Sequence, residues 1–224
     1  MSLNDDQIEF YKAEGYLGIE GVLSAAEIAQ LRQVTDEFIE ASRAESESGE
    51  VYDLEPGHSA AFPKVRRIKH PVKVHQAYND ILHHDKILDI VAQLIGPNIR
   101  TNGDKLNMKS GEFGSPVEWH QDWAFYPHTN DDILAVGVCI DEMSTANGCL
   151  LIKPKSHKGK IYDHHLDGHF AGAVTEDTFS FEDAAKVELG AGGISIHHGR
   201  TLHASLRKNA KSKFHLLFHP KKIF

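Results

Sequence analysis

Two side chains of metal-binding type stand two residues apart in Glu118-Trp119-His120-Gln121-Asp122-Trp123. Successive side chains of a strand point to opposite faces, so an extended segment here projects His120 and Asp122 to the same side. A second histidine from a distant strand would complete a two-histidine, one-carboxylate set. Such a set leaves three positions on iron(II) for a bidentate cosubstrate and dioxygen. Spacing alone offers His197, His198 and His203 as that third ligand. With 16 histidines in 224 residues, His-x-Asp is expected by chance, and it occurs three times, so context must choose among the copies. His83-His84-Asp85 falls at the start of a predicted helix, where residues two apart face different ways, and His165-Leu166-Asp167 lies in an irregular segment. Only the copy at 120–122 has the context of a strand.

The elements that must hold these residues divide the chain in two. Residues 4–44 read as two helices: Ser24-Ala25-Ala26-Glu27 is a capping box, and Ile28, Leu31, Val34 and Phe38 follow on one helical face. Residues 45–62 are polar and rich in turn formers, which predicts a loop. Another helix is expected over roughly 80–95, with Ile87, Leu88, Val91, Leu94 and Ile95 as its apolar stripe and Gly96-Pro97 as its stop. From about residue 100 the pattern turns to short apolar or alternating runs: 103–109, 116–123, 132–140, 149–153, 186–189, 193–198, 201–206 and 214–219. Seven or eight short strands after a helical start predict a mainly β fold with flanking helices. The expected form is a double-stranded β-helix, a jelly-roll barrel over about 99–224 backed by helices over about 1–98, in a single domain spanning 1–224. Residues 155–185, rich in His, Asp and Gly, read as an insertion or active-site loop.

Composition narrows the function. A net charge of -8 without a Lys/Arg cluster argues against a broad nucleic-acid surface. The chain shows neither a secretory leader pattern nor an apolar run of about 18 residues, so a soluble cytoplasmic protein that avoids membranes is expected. Cys139 and Cys149 sit in apolar runs and read as free, buried thiols. The partner that remains is a small-molecule substrate.

Longer landmarks sharpen this reading. Residues 105–126, from Lys105-Leu106-Asn107-Met108-Lys109 through Trp119-His120-Gln121-Asp122-Trp123, resemble the metal-binding strand region of the phytanoyl-CoA dioxygenase family of Fe(II)/2-oxoglutarate-dependent oxygenases. Asn147-Gly148-Cys149-Leu150 with Pro154-Lys155-Ser156-His157 is similar to a second family segment, with Lys155 where the family has glycine. Gly193 to Ser205 is similar to a third, with Ala204 replacing a glycine. Phe10 to Tyr16, Leu23-Ser24 and Leu94 to Pro97 match further landmarks in order. The resemblance implies His120, Asp122 and His203 as iron ligands, with Ser205 and Lys109 beside the cosubstrate. It also implies oxidative decarboxylation of 2-oxoglutarate by dioxygen to succinate and carbon dioxide, coupled to hydroxylation of the substrate. Halogenation is not expected, because related halogenases replace the triad carboxylate with a small residue and Asp122 is present.

One landmark is missing. The family places an arginine about eleven residues beyond its distal histidine, to hold the far carboxylate of 2-oxoglutarate. That spacing reaches Phe214, or His215 with one inserted residue. His215, Lys213 and Arg207 are the available substitutes, and Lys213 and His215 share strand parity. Two other functions stay open at this point: a jelly-roll protein that binds metal and a small ligand without turnover, and a zinc or manganese hydrolase or lyase. Arg66-Arg67 offer charge for an anionic substrate and the histidines at 164, 165 and 169 offer ligands for an adventitious metal, but both groups read first as solvated loop positions; Trp119, Trp123, Phe125 and Tyr126 read as core or pocket wall.

Overall fold

The computed structural model describes residues 1–109, 116–125, 130–176 and 179–205, and the backbone of 214–223. Five helices lie in the first half: α1 (Asp5–Glu14), α2 (Ala25–Ala41), α3 (Pro71–Val74), α4 (Gln76–Leu82) and α5 (Asp85–Ile95). The capping box at Ser24 forms as expected, with Ser24 Oγ accepting from the Glu27 amide and the Glu27 carboxylate accepting from Ser24. The single helix expected over 80–95 is instead two, α4 and α5, broken at His83 and His84. His84 adopts extended backbone and serves as the N-cap of α5, so the apolar stripe from Ile87 onward belongs to α5 alone.

The strands are β1 (Tyr16–Ile19), β2 (Tyr52–Leu54), β3 (Val65–Lys69), β4 (Ile99–Thr101), β5 (Lys105–Lys109), β6 (Val117–His120), β7 (Ile133–Cys139), β8 (Leu150–Ile152), β9 (His165–Leu166), β10 (His169–Phe170), β11 (Ala185–Val187), β12 (Ile194–His198), β13 (His203–Ser205) and β14 (Phe214–Ile223). They form an antiparallel eight-stranded sheet ordered β1-β12-β7-β14-β5-β3-β2 with β4 beside β14, and a four-stranded sheet ordered β11-β8-β13-β6. A small β9–β10 hairpin stands apart. The fold is therefore mainly β with helices. Both sheets are open in the described residues, so the expected closed barrel is not seen as such. Strands β1 to β4 were not expected: they are short, and β2 sits inside the turn-rich stretch at 45–62, where its pairing with β3 supplies the order that local composition does not.

Alternation along the larger sheet separates two environments. Leu106 and Met108 of β5, Leu134, Val136 and Val138 of β7, and Ile194 and Ile196 of β12 join the core under the helices, with Leu31, Tyr78, Ile87 and Ile90. The intervening residues turn to the other face, where Ala135 and Cys139 pack with Trp119, Leu151, Ile152 and Leu202 around the smaller sheet. β7 is thus buried on both faces, which is why it reads as an unbroken apolar run. On that second face the sequence changes character: β5 contributes Lys105, Asn107 and Lys109, and β12 contributes Ser195 and His197. A strand with an oily side and a charged or imidazole side, neither lost to solvent, is the local signature of a site.

Candidate active site

β6 and β13 are neighbours in the smaller sheet, and the ladder pairs His120 directly with His203. Residues 83 positions apart cannot be assigned to one another from spacing; the register does it. β6 ends at His120, so Asp122 is not the strand residue that sequence parity assumed. Gln121 nevertheless keeps extended dihedrals (φ -122, ψ 128) before Asp122 opens a 3-10 turn, Asp122–Ala124. One extended residue preserves the alternation, and Asp122 lands on the side of His120. Asp122 Oδ1 lies 3.9 Å from His120 Nε2 and 3.9 Å from His203 Nε2, and one ligand atom from each residue falls within 4.8 Å of the others. All three are buried.

Each histidine is held by the same local device. His120 Nδ1 lies 2.8 Å from the carbonyl of Glu118 and His203 Nδ1 2.9 Å from that of Thr201, two residues upstream in both cases. A carbonyl only accepts, so each Nδ1 carries the proton and donates, which leaves the Nε2 lone pair as the acceptor aimed toward Asp122. That is the arrangement a metal requires of a ligating imidazole. Burial pushes the His120 pKa down to about 4 and that of His203 well below its ordinary value, so both rings are neutral at pH 7. Burial alone would raise the Asp122 carboxyl, but the hydrogen bond from His197 and the neighbouring imidazoles hold it far below the carboxylate range. Two neutral Nε2 donors and one carboxylate oxygen converging on a buried point fit a divalent metal such as iron(II).

His197, a rival ligand on spacing, is fully buried and takes another position. Its Nε2 lies 3.3 Å from Asp122 Oδ2, the oxygen other than the one nearest His120 and His203. It therefore orients the carboxylate. His198 faces away, its ring 5.3 Å from that of His157, and its Nδ1 accepts from the Arg200 amide.

Gln121, for which the sequence carried no signal, is fully buried between His120 and Asp122. Its side-chain nitrogen donates to the carbonyls of Arg200 (2.7 Å) and Lys160 (3.2 Å), and its oxygen accepts from the Tyr162 amide (2.9 Å). Its own amide donates to His164 Nε2 at 3.0 Å. His164 is thus a buried structural residue and not the solvated one its loop context predicts; His165 is exposed as expected. The 155–185 segment is stitched to the ligand turn by these bonds. Lys155, standing where the family has glycine, adopts a left-handed conformation (φ 67), which explains the family preference.

A cavity of ≈ 100 Å³ opens beside the triad, lined by His120 and His203 and by Arg67, Lys105, Asn107 and Lys109 from the larger sheet. Lys109 is buried (7% exposed); its Nζ donates to Ser205 Oγ at 2.8 Å and to the Gly148 carbonyl at 3.3 Å. Arg67, expected in solvent, is half-buried against the cavity and donates to Asn107 Oδ1 and Asp53, whereas Arg66 is exposed. Burial lowers the Lys105 pKa, the Asp122 charge opposes that, and Arg67 adds to it. Phe125 packs edge-on against His120 with ring centroids 5.8 Å apart, and Trp119 is buried and stacked on Phe181. Tyr126, Arg207 and Lys213 lie outside the described residues. The backbone of His215 pairs with Met108, and its side chain is likewise outside the description.

Residues 11–214 match the family model for phytanoyl-CoA dioxygenase (PhyH). The chain is 36% identical over 206 residues to "Probable alpha-ketoglutarate-dependent hypophosphite dioxygenase" of Stutzerimonas stutzeri, covering 89% of this chain and 72% of the relative. Two solved structures share the fold. The EctD protein of S. alaskensis with bound Fe has a TM-score of 0.81 at 18% identity, over 99% of this chain and 77% of that one. EvdO2 of Micromonospora carbonacea var. aurantiaca, complexed with 2-oxoglutarate, has a TM-score of 0.79 at 22% identity, over 100% and 92%. The match across most of the chain confirms the resemblance carried by the sequence landmarks: this chain belongs to the phytanoyl-CoA dioxygenase family of Fe(II)/2-oxoglutarate-dependent oxygenases.

Proposed function

We propose that this chain hydroxylates a small organic metabolite or acyl derivative, using iron(II), dioxygen and 2-oxoglutarate, with His120, Asp122 and His203 as the iron ligands. The observation that carries the reading is the pair of cross-strand histidines whose Nδ1 protons are committed to backbone carbonyls, leaving both Nε2 atoms facing one carboxylate. Iron, when bound there, supplies the chelation of the keto acid and the activation of dioxygen. The protein's own residues do the rest. His197 turns the second Asp122 oxygen away from the metal position, Gln121 fixes the ligand turn, and Phe125 shields the edge of His120. Lys109 and Ser205, bonded to one another on the cavity wall, are positioned to receive a carboxylate of 2-oxoglutarate through charge-assisted hydrogen bonds. Lys213 and, on the last strand, His215 are the further candidates for its distal carboxylate.

In the same reading the two sheets close as a double-stranded β-helix within one domain over 1–224, and the enzyme works in the cytoplasm as a soluble protein. No helix among the described residues is long and apolar enough to cross a membrane. The function is tested by measuring succinate formed from 2-oxoglutarate against a metabolite panel headed by hypophosphite, the substrate in the name of the Stutzerimonas relative. Substrate-stimulated succinate with a product heavier by one oxygen supports it, and absence of turnover with the whole panel counts against it. Replacing Lys213 and His215 together tests their part, since unchanged 2-oxoglutarate affinity would remove them from the cosubstrate site.

A further inference from the structure

We infer that the primary substrate is a small oxyanion, gripped by Arg67 and Lys105 on the wall that β3 and β5 present to the metal centre. This rests on the function proposed above and names the substrate class of that site.

The β3–β5 ladder sets Arg67 opposite Asn107 and Lys69 opposite Lys105. Alternation puts Lys105, Asn107 and Lys109 on one face of β5, and Arg67 and Lys69 join them from β3. Like charges placed directly across a ladder repel, and Lys69 and Lys105 are such a pair. Asp53 lies 3.3 Å from both Arg67 and Lys69, tying them to the β2 side of the wall. Four cations thus share one sheet face in a chain of net charge -8, and Asp53 meets the two that come from β3.

The face offers cations to the cavity at two places. Lys105 and Lys109 are four residues apart, about 13 Å along a strand at ~3.3 Å per residue, so they mark opposite ends of the wall. Lys109 with Ser205 forms one end and suits the cosubstrate. Lys105 marks the other, with Arg67 next to it along the wall opposite Asn107, and both line the same cavity as His120 and His203. Arg67 is held by Asn107 Oδ1 at 3.0 Å through its Nε, which fixes the plane of the guanidinium. A guanidinium with a fixed plane beside an ammonium is a donor set for a tetrahedral or planar oxyanion such as a phosphorus oxyacid or a short carboxylate.

The test is calorimetric and needs no turnover. The full-length protein is loaded anaerobically with iron(II) and saturating 2-oxoglutarate, then titrated with hypophosphite, phosphite, methylphosphonate or acetate, and with acetamide as the neutral counterpart of acetate. At least one oxyanion should bind while acetamide does not. Arg67→Gln and Lys105→Met should each weaken that binding roughly 10- to 100-fold, the worth of one charge-assisted hydrogen bond, with iron and 2-oxoglutarate binding retained. Arg67→Lys, which keeps the charge and loses the fork, should fall between. The inference is overturned if no oxyanion binds the loaded wild-type protein, if acetamide binds as well as acetate, or if the variants bind the oxyanion unchanged. It is equally overturned if Arg67→Gln and Lys105→Met lose 2-oxoglutarate in its place. Failure of wild type to bind 2-oxoglutarate at all would instead bring down the function on which the inference rests.

Discussion

Replacing Gln121 with methionine keeps the length of the side chain and removes all its hydrogen bonds. Three backbone groups lose their partner: the Arg200 carbonyl, the Tyr162 amide and the Lys160 carbonyl. Lys160 is exposed, so its carbonyl recovers water. The other two belong to half-buried residues against a fully buried side chain, and an orphaned interior donor or acceptor costs roughly 1–3 kcal/mol. The expected loss is therefore about 2–6 kcal/mol of apo stability, or roughly 4–24 °C in melting temperature at ~2–4 °C per kcal/mol for a chain of this size. Because Gln121 lies between His120 and Asp122 and ties their turn to the strand leading into His203, iron(II) affinity should drop as well, by roughly 10- to 100-fold. Thermal unfolding of the apo protein and anaerobic iron titration read the two effects separately. A Gln121→Met protein that melts within about 1 °C of wild type and binds iron equally well would refute the claim that this side chain sets the ligand geometry.

His120→Ala and His203→Ala should each abolish iron(II) binding under ordinary conditions while circular dichroism stays native, since both rings border a cavity and the apolar cores lie elsewhere; full iron occupancy in either variant refutes the ligand assignment. The apo protein should lose stability on acidification: His120 is neutral when folded down to about pH 4 but protonates near 6.5 when unfolded. That contribution is fully present above pH 6.5 and lost as pH falls toward 4, at about 3 kcal/mol, and a flat denaturation midpoint across this window contradicts it. Supplied with chloride or bromide and a turnover-competent substrate, the enzyme should still insert oxygen, because Asp122 as the proposed carboxylate ligand would fill the position a halide needs; mass spectrometry showing mainly halogenated product would reverse this.

Much of the site was legible in sequence because its key residues sit in short segments with strong local constraints. His120 and Asp122 needed only an extended backbone between them, and Gln121 provides it even though the strand has ended. The partner His203 needed family landmarks, since the β6–β13 register that selects it over His197 and His198 is a long-range property. Arg67 and His164 were misread for one reason: a charged or imidazole side chain in a polar stretch looks solvated until a distant strand or turn covers it. The Lys-x-Asn-x-Lys alternation of β5 carried a signal, because a strand whose other face is Leu106 and Met108 has its polar face free to line a site. The break between α4 and α5 falls in His83-His84-Asp85-Lys86, a polar stretch with no Gly or Pro to mark a helix end.

The central claim, that His120, Asp122 and His203 together with the adjoining cavity bind iron(II) and 2-oxoglutarate as one unit, is tested most directly by anaerobic titration of the apo protein with both, followed in the visible spectrum. A weak charge-transfer band that saturates at one iron and one 2-oxoglutarate per chain, and is absent in His203→Ala, is the expected result. Iron binding without that band in the wild-type protein would contradict it.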